Sequence, residues 1–203
     1  MTASNIQITA GSGTRLATNS YTEGAVTVHD EKFIPGEYPY PSYFVQVSSI
    51  SGATSADHVV QLMAGSSLNV RIRRIYLAQA ALITTASEFS VDVLRLSSAG
   101  TGGTSVTPAK FATADAASGA TAMTLPTSKG TESTTLFRSR ILPVQTYATA
   151  GLSLIPSWEW QQAQGTEPII IAAGTSNGIA VKVTTGRAGL TVDVRIEFIE
   201  TSF

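Results

Sequence analysis

The chain has 203 residues, no cysteine and a formal net charge of −1. This excludes disulfides, zinc–thiolate sites and cysteine nucleophiles, and with no basic tract the electrostatic footprint of a nucleic-acid binder is missing. Charged residues make up 13%, about half the usual share of roughly 25%, so Ser, Thr, Asn, Gln and Gly must supply the polar surface, as suits a protein that packs among neighbours.

The opening MTASNIQITAGSGTRLATNS has no apolar core after a basic start, and no apolar run approaches the ~18 residues of a membrane span. A soluble protein made in the cytoplasm is expected. Residues 1–41 read as an extended arm. Short strand-like pieces fall at 5–10 and 25–29, followed by DEKFIPGEYPYPSYF with Pro35, Pro39 and Pro41. Proline at this density forbids a helix or a central strand and pushes its neighbours to extended geometry. Phe33, Tyr38, Tyr40 and Tyr43 then serve as anchors. The arm packs either on another subunit or over the bottom of its own domain, and both readings stand.

Residues 42–203 read as one β domain. SYFVQVSSI and DHVVQLMA are strands. SLNVRIRRIYLAQA alternates Leu68, Val70 and Ile72 against Asn69, Arg71 and Arg73, then loses phase after Arg74, which marks a bulge or bend. Arg71, Arg73 and Arg74 form the only local basic cluster, as a solvated strand face or a contact with an acidic partner surface. EFSVDVLRLSS alternates, with Leu94 and Leu96 on a second face that is also buried. The Gly/Ala/Ser/Thr-rich stretch from 99 to 134 is a long connection with edge strands near 105–111 and 120–125. TTLFRSRIL, GLSLIPSWEW (broken at Pro156) and EPIIIAAG follow.

The clearest signal closes the chain. Leu190, Val192, Val194, Ile196 and Phe198 face one way, and Thr191, Asp193, Arg195 and Glu197 the other. Ile179, Val181 and Val183 repeat the pattern. Gly186-Arg187-Ala188-Gly189 between them supplies the positive-φ residues of a hairpin loop, so 179–198 is expected to be the central hairpin of one sheet. The whole is an all-β, antiparallel two-sheet sandwich of jelly-roll or Greek-key type with an extended N-terminal arm.

Chemistry is not indicated, and no catalytic residue, cofactor or metal is expected. The two histidines, His29 and His58, lie near no nucleophile and read as surface residues. His29-Asp30-Glu31 alternate across a strand and cannot converge on a metal. Trp158 and Trp160 share one face and Glu159 takes the other, so the tryptophans fill the core or an interface while Glu159 is wet. GTGGTS at 100–105 lacks the ending of a phosphate loop and reads as a flexible loop.

The succession GGTSVTPAKF, an Ala/Thr-rich connection, TTLFRSRIL, a Trp-bearing strand, EPIIIAAGTSNGIAVKVTTG and TVDVRIEFIE resembles the jelly-roll-like structural proteins of tailed bacteriophage virions, of the capsid decoration (cement) or head-associated type. The resemblance implies a non-enzymatic protein of the virion surface that stabilises the head by packing between major capsid protein subunits. It would sit there as a homotrimer, with no nucleic-acid or membrane partner. Phe33, Tyr38, Tyr40, Tyr43, Arg71 and Arg73 are then the expected interface residues. The alternatives are a carbohydrate- or receptor-binding jelly roll of a tail, or another tail, neck or capsid component.

Overall fold

The computed structural model describes residues 18–23, 26–31, 40–54, 57–81, 88–141 and 157–202, and contacts divide the chain into two units, Met1–Pro39 and Tyr40–Phe203. In the first, β1 (Thr18–Glu23) pairs antiparallel with β2 (Val26–Glu31) in register from Thr18 opposite Glu31 to Glu23 opposite Val26. The strand-like reading of 25–29 falls on β2. The polar TNSYTE of β1 has no apolar alternation and gave no signal. Residues 5–10, Phe33 and Tyr38 lie outside the described residues.

The second unit is a sandwich, and among its described residues there is no helix. Its strands are β3 (Ser42–Ser51), β4 (Asp57–Met63), β5 (Asn69–Gln79), β6 (Phe89–Leu96), the short β7 (Thr104–Val106), β8 (Ala109–Lys110) and β9 (Thr121–Thr124), then β10 (Glu132–Ile141), β11 (Ser157–Gln161), β12 (Ile169–Ile171), β13 (Gly178–Thr185) and β14 (Thr191–Thr201). Sheet I has the order β11-β5-β14-β3-β8, with β12 also on β5; sheet II has the order β10-β6-β13-β4-β9-β7. All of these pairings are antiparallel.

The topology is that of a jelly roll. Each strand of the first half pairs with one of the second: β3 with β14, β4 with β13, β5 with β11 and β6 with β10. Successive pairs alternate between the sheets, as in a long two-stranded ribbon rolled upon itself. The connections cross between sheets in pairs and bond to each other. Gly52 N donates to Leu190 O at 2.8 Å and Arg187 N to Gly52 O at 3.1 Å, while Ala64 N donates to Asn177 O at 2.9 Å and Gly174 N to Gly65 O at 2.8 Å. The segment between β6 and β10 is inserted into this ribbon, and β8, β9 and β7 from it extend both sheets beyond β3 and β4.

This corrects the expected closing hairpin. The faces are as the alternation indicates, with Leu190, Val192, Val194, Ile196 and Phe198 at most 1% exposed and Ile179, Val181 and Val183 at 0%. The two strands nonetheless lie in different sheets, because each has an apolar partner from the first half of the chain. Residues 186–190 cross the sandwich, held by their bonds to Gly52. Of their two glycines only Gly189 has positive φ, at 77°; Gly186 is needed for close approach, since a Cβ there would lie 2.5 Å from Ala53 O.

The side chains between the sheets form one core, with Tyr43 and Phe198 stacked tilted at 5.6 Å. Two bulges re-phase strands at this core. Glu197 is opposite Arg74 and Phe198 opposite Ile72, so Arg73 is skipped, where the alternation of β5 slips. Val181 is opposite Val60 and Lys182 opposite His58, so Val59 is skipped and Val59 and Val60 both face the core. Arg95 of β6 ties the sheets at one end by donating to Ile170 O of β12 at 2.7 Å.

Replacing Gly186 by Ala drives a methyl into the Ala53 backbone, which cannot yield as a side-chain tip would. A loss of about 2–3 kcal/mol is expected in urea denaturation. Gly189→Ala meets open space and should cost only the ~1–2 kcal/mol of a left-handed alanine.

Candidate functional site

The richest polar constellation lies on the outer face of sheet II. The skipped Val59 creates it. Strict alternation would put His58 and Gln61 on opposite faces, whereas the bulge brings both to the outer one. Gly100 N donates to Gln61 Oε1 at 2.9 Å, Gln61 Nε2 is 2.6 Å from His58 Nδ1, and His58 Nε2 is 2.9 Å from Glu132 Oε1. Lys182 Nζ donates to both Glu132 oxygens at 2.8 Å. Next to Lys182 in cross-strand register, Asp92 accepts two bonds from Arg138, at 3.0 and 2.9 Å.

His58 is therefore not the surface residue expected; it is 0% exposed. Loops cover this face, and Gln61 and Glu132 satisfy the ring. Burial pushes its pKa down, the hydrogen bond and charge of Glu132 pull it up, and Lys182 and Lys129 push it down again, leaving it below the usual histidine value. Burial alone would raise Glu132, but hydrogen bonds from Lys182 and His58, and their charges, hold its carboxyl below the usual range.

A histidine on a carboxylate is two-thirds of a hydrolytic triad. Here the ring nitrogen that would face a nucleophile is occupied by Gln61, which is itself held by a backbone N–H. The arrangement leaves no nitrogen of His58 open to accept a substrate proton. Among the described residues there is no group of three or more His, Cys, Asp or Glu side chains placed to hold a metal.

The GTGGTS stretch is part of the cover. Thr101 and Ser128 exchange backbone hydrogen bonds at 2.8 and 3.0 Å, Thr127 Oγ1 donates to Gly102 O at 2.7 Å, and Ser97 N to Thr131 O at 2.9 Å. The expected flexible loop is thus a hydrogen-bonded strap over the sheet. Met63, Leu94, Leu96 and Ala180 of sheet II form a second buried apolar cluster, so β6 is buried on both faces as its sequence indicates.

The outer face of sheet I carries aromatic and guanidinium groups that are half-buried or, at Phe111, exposed. Arg195 lies over the Phe44 ring at 4.4 Å and 5.6 Å from that of Phe111, and the two rings are 5.0 Å apart. Phe111 is 52% exposed. Arg74 donates to Glu159 at 2.8 Å and stacks on Tyr76 at 5.7 Å. Of the expected interface residues, Arg71 and Arg73 are half-buried on β5 and Tyr40 is half-buried. Tyr43 belongs to the core instead, because β3 points it inward onto Phe198; it is 2% exposed and donates to Ala116 O at 3.1 Å. Phe44, its neighbour, takes the outer face and is half-buried. Trp158 and Trp160 point inward together, half-buried against Phe137 at 6.3 and 5.5 Å, and Glu159 is on the wet side.

Gln61, Glu132, Lys182 and Phe111 were not singled out by the sequence. The doubled valine in VVQ was the one available sign of the bulge, and the others meet their partners only through sheet pairing. Glu200 is 4% exposed and accepts from Ser118 Oγ at 2.7 Å, Ala120 N at 2.8 Å and Gly119 N at 3.2 Å, pinning the insertion to the end of β14.

No protein-family model, curated protein sequence or solved structure matches this chain.

Glu200→Ala would remove the acceptor shared by Ser118 Oγ, Gly119 N and Ala120 N, and leave the buried Ala120 N only its 3.1 Å bond to Ser118 Oγ. A loss of about 2–4 kcal/mol is expected, with faster amide exchange at Gly119 and Ala120. Glu200→Gln, which keeps one acceptor oxygen, should recover part of it.

Proposed function

We propose that the protein is a non-enzymatic structural component that works by packing within an assembly, of the capsid decoration (cement) kind. The carrying observation is the outer face of sheet I. It is a broad strand surface on which Phe44, Phe111, Tyr76, Arg74 and Arg195 stand together. Aromatic and arginine side chains are the types enriched at protein interfaces and at their energetic hot spots. The sparse charge of the whole chain agrees with this, as do polar groups on sheet II that are spent on one another. The fold alone does not decide among the functions that jelly rolls serve.

In this reading the partners are major capsid protein subunits and copies of the chain itself, as a homotrimer on the virion surface. A decoration protein binds the assembled shell and not free subunits, so mass action stabilises the shell, and repeated copies add avidity. The proline-rich arm supplies a further contact. The carbohydrate-binding alternative needs an open aromatic platform, and Phe137 fills the space beside both tryptophans.

The double variant Phe111→Ser, Arg195→Ser should keep its urea midpoint within about 0.5 kcal/mol of stability. It should lose tenfold or more in affinity for assembled shells in co-sedimentation, as loss of a hot spot of ~1–2 kcal/mol would give. Unchanged binding would remove this face from the contact. Deleting residues 1–41 should weaken the same binding while far-UV circular dichroism still reports the β domain. Full binding without those residues would remove the arm.

A further inference from the structure

We infer that the polar chain through His58 is an acid-operated latch, which holds the strap formed by residues 97–103 and 125–131 on the outer face of sheet II while His58 is neutral and releases it when His58 takes a proton. The direction of every bond in the chain is forced. Gly100 N–H only donates, so Gln61 Oε1 must accept it. That turns Gln61 Nε2, a donor, toward His58 Nδ1, which must therefore accept. The ring is neutral with its proton on Nε2, given to Glu132.

A proton on Nδ1 sets N–H against N–H. Turning the Gln61 amide over relieves that contact and brings its NH2 against Gly100 N–H. One link breaks in either case. His58 and Gln61 are 0% and 1% exposed, so water cannot replace the lost bond unless the strap lifts. The bonds between Thr101 and Ser128 and between Thr127 and Gly102 tie the strap to itself. The Gly100–Gln61 bond ties it to the sheet, joined at the rim by Lys129 and Asp57 at 3.3 Å.

The charged groups around the ring set the direction of the response. Glu132 of β10 favours the imidazolium, but Lys182 of β13 already engages both of its oxygens. Lys129 of the strap opposes the charge, Asp57 is taken by Lys129, and Asp92 of β6 is taken by Arg138. Burial opposes it most. With the folded value below the ordinary ~6.5, the opened state binds the proton first as pH falls. The latch is at full strength above about pH 6.5 and weakens below it. Glu132, held below the usual carboxylate range, weakens it further at lower pH. The neighbours of Gln61 in the sheet are apolar: Gln61 is opposite Ala180 and Ala180 opposite Leu94, in the cluster with Met63 and Leu96.

The test is amide exchange at Gly100 in the full chain between about pH 7.5 and about pH 5, corrected for intrinsic rates, with the His58 imidazole followed by 15N NMR. A His29→Gln background leaves His58 as the one imidazole, since the chain has two histidines. Expected is a neutral ring protonated on Nε2 at the higher pH and a loss of Gly100 protection of about tenfold per pH unit. This loss should begin near pH 6.5, the value of a freely exposed imidazole, and level off where the folded His58 ring titrates, with ANS fluorescence rising alongside. In His58→Gln the loss should vanish. Protection that stays constant, or falls equally in His58→Gln, overturns the latch. If that variant does not fold, protection that goes on falling after the His58 ring has titrated, at a pH above about 5 where Glu132 stays ionised, overturns it.

Discussion

The fold depends on one pairing constraint: each strand of the first half of the sandwich has its hydrogen-bonding partner in the second half. β3 with β14 and β4 with β13 are inner pairs of the two sheets, and their side chains make half of the core. Antiparallel pairing at this sequence distance means that neither half is a sheet alone. It also explains why the connections come in bonded pairs, since two strands that pair within one sheet must leave it together. Gly52 against residues 187–190, and Gly65 against Gly174, are where two chains turn the corner side by side. The corner glycines meet different needs: a Cβ at Gly52 would lie 2.9 Å from the Leu190 side chain, one at Gly65 would lie 2.7 Å from Gly119 O, and Gly174 has a φ of 126°.

How much of this was legible follows from what periodicity reports. Alternation reports faces, and the faces of β13 and β14 were legible residue by residue. It does not report partners. Two alternating runs joined by a Gly-rich loop look alike whether they pair with each other or cross to opposite sheets, so the expected hairpin failed although each strand was right. Phase slips are also legible, as the loss of alternation after Arg74 shows where β5 skips Arg73. The doubled valine of β4 is the same signal in a shorter run, and it decides more, because it sends His58 to the face where Gln61 lies.

The candidate site was barely legible for a related reason. His58 looked like a surface residue because a polar side chain at a strand start is usually wet. Its burial comes from a strap folded back from more than 35 residues further on, closed by Glu132 at distance 74 in sequence. Contacts of that range depend on the insertion between β6 and β10, whose Gly, Ser and Thr residues carry no periodicity. Tyr43 failed in the opposite sense. It was grouped with the aromatics of the proline-rich arm, although the alternation of β3 already sets it with Val45 and Val47, opposite Phe44 and Gln46, on the face that is the core.

The two outer faces consequently do different things. On sheet II the polar groups are matched to one another at hydrogen-bonding distance and covered, which suits a face that holds the molecule's own insertion and responds to a proton. On sheet I the charged groups are also paired, Arg74 with Glu159 and Arg195 with Glu197, but at the surface, where such pairs add little stability. Phe111 stays 52% exposed although it stands against Phe44 and Arg195. An aromatic ring half in water beside a second ring and a guanidinium is the feature on which the proposed packing contact rests, because aromatic and arginine side chains are the types enriched at interfaces.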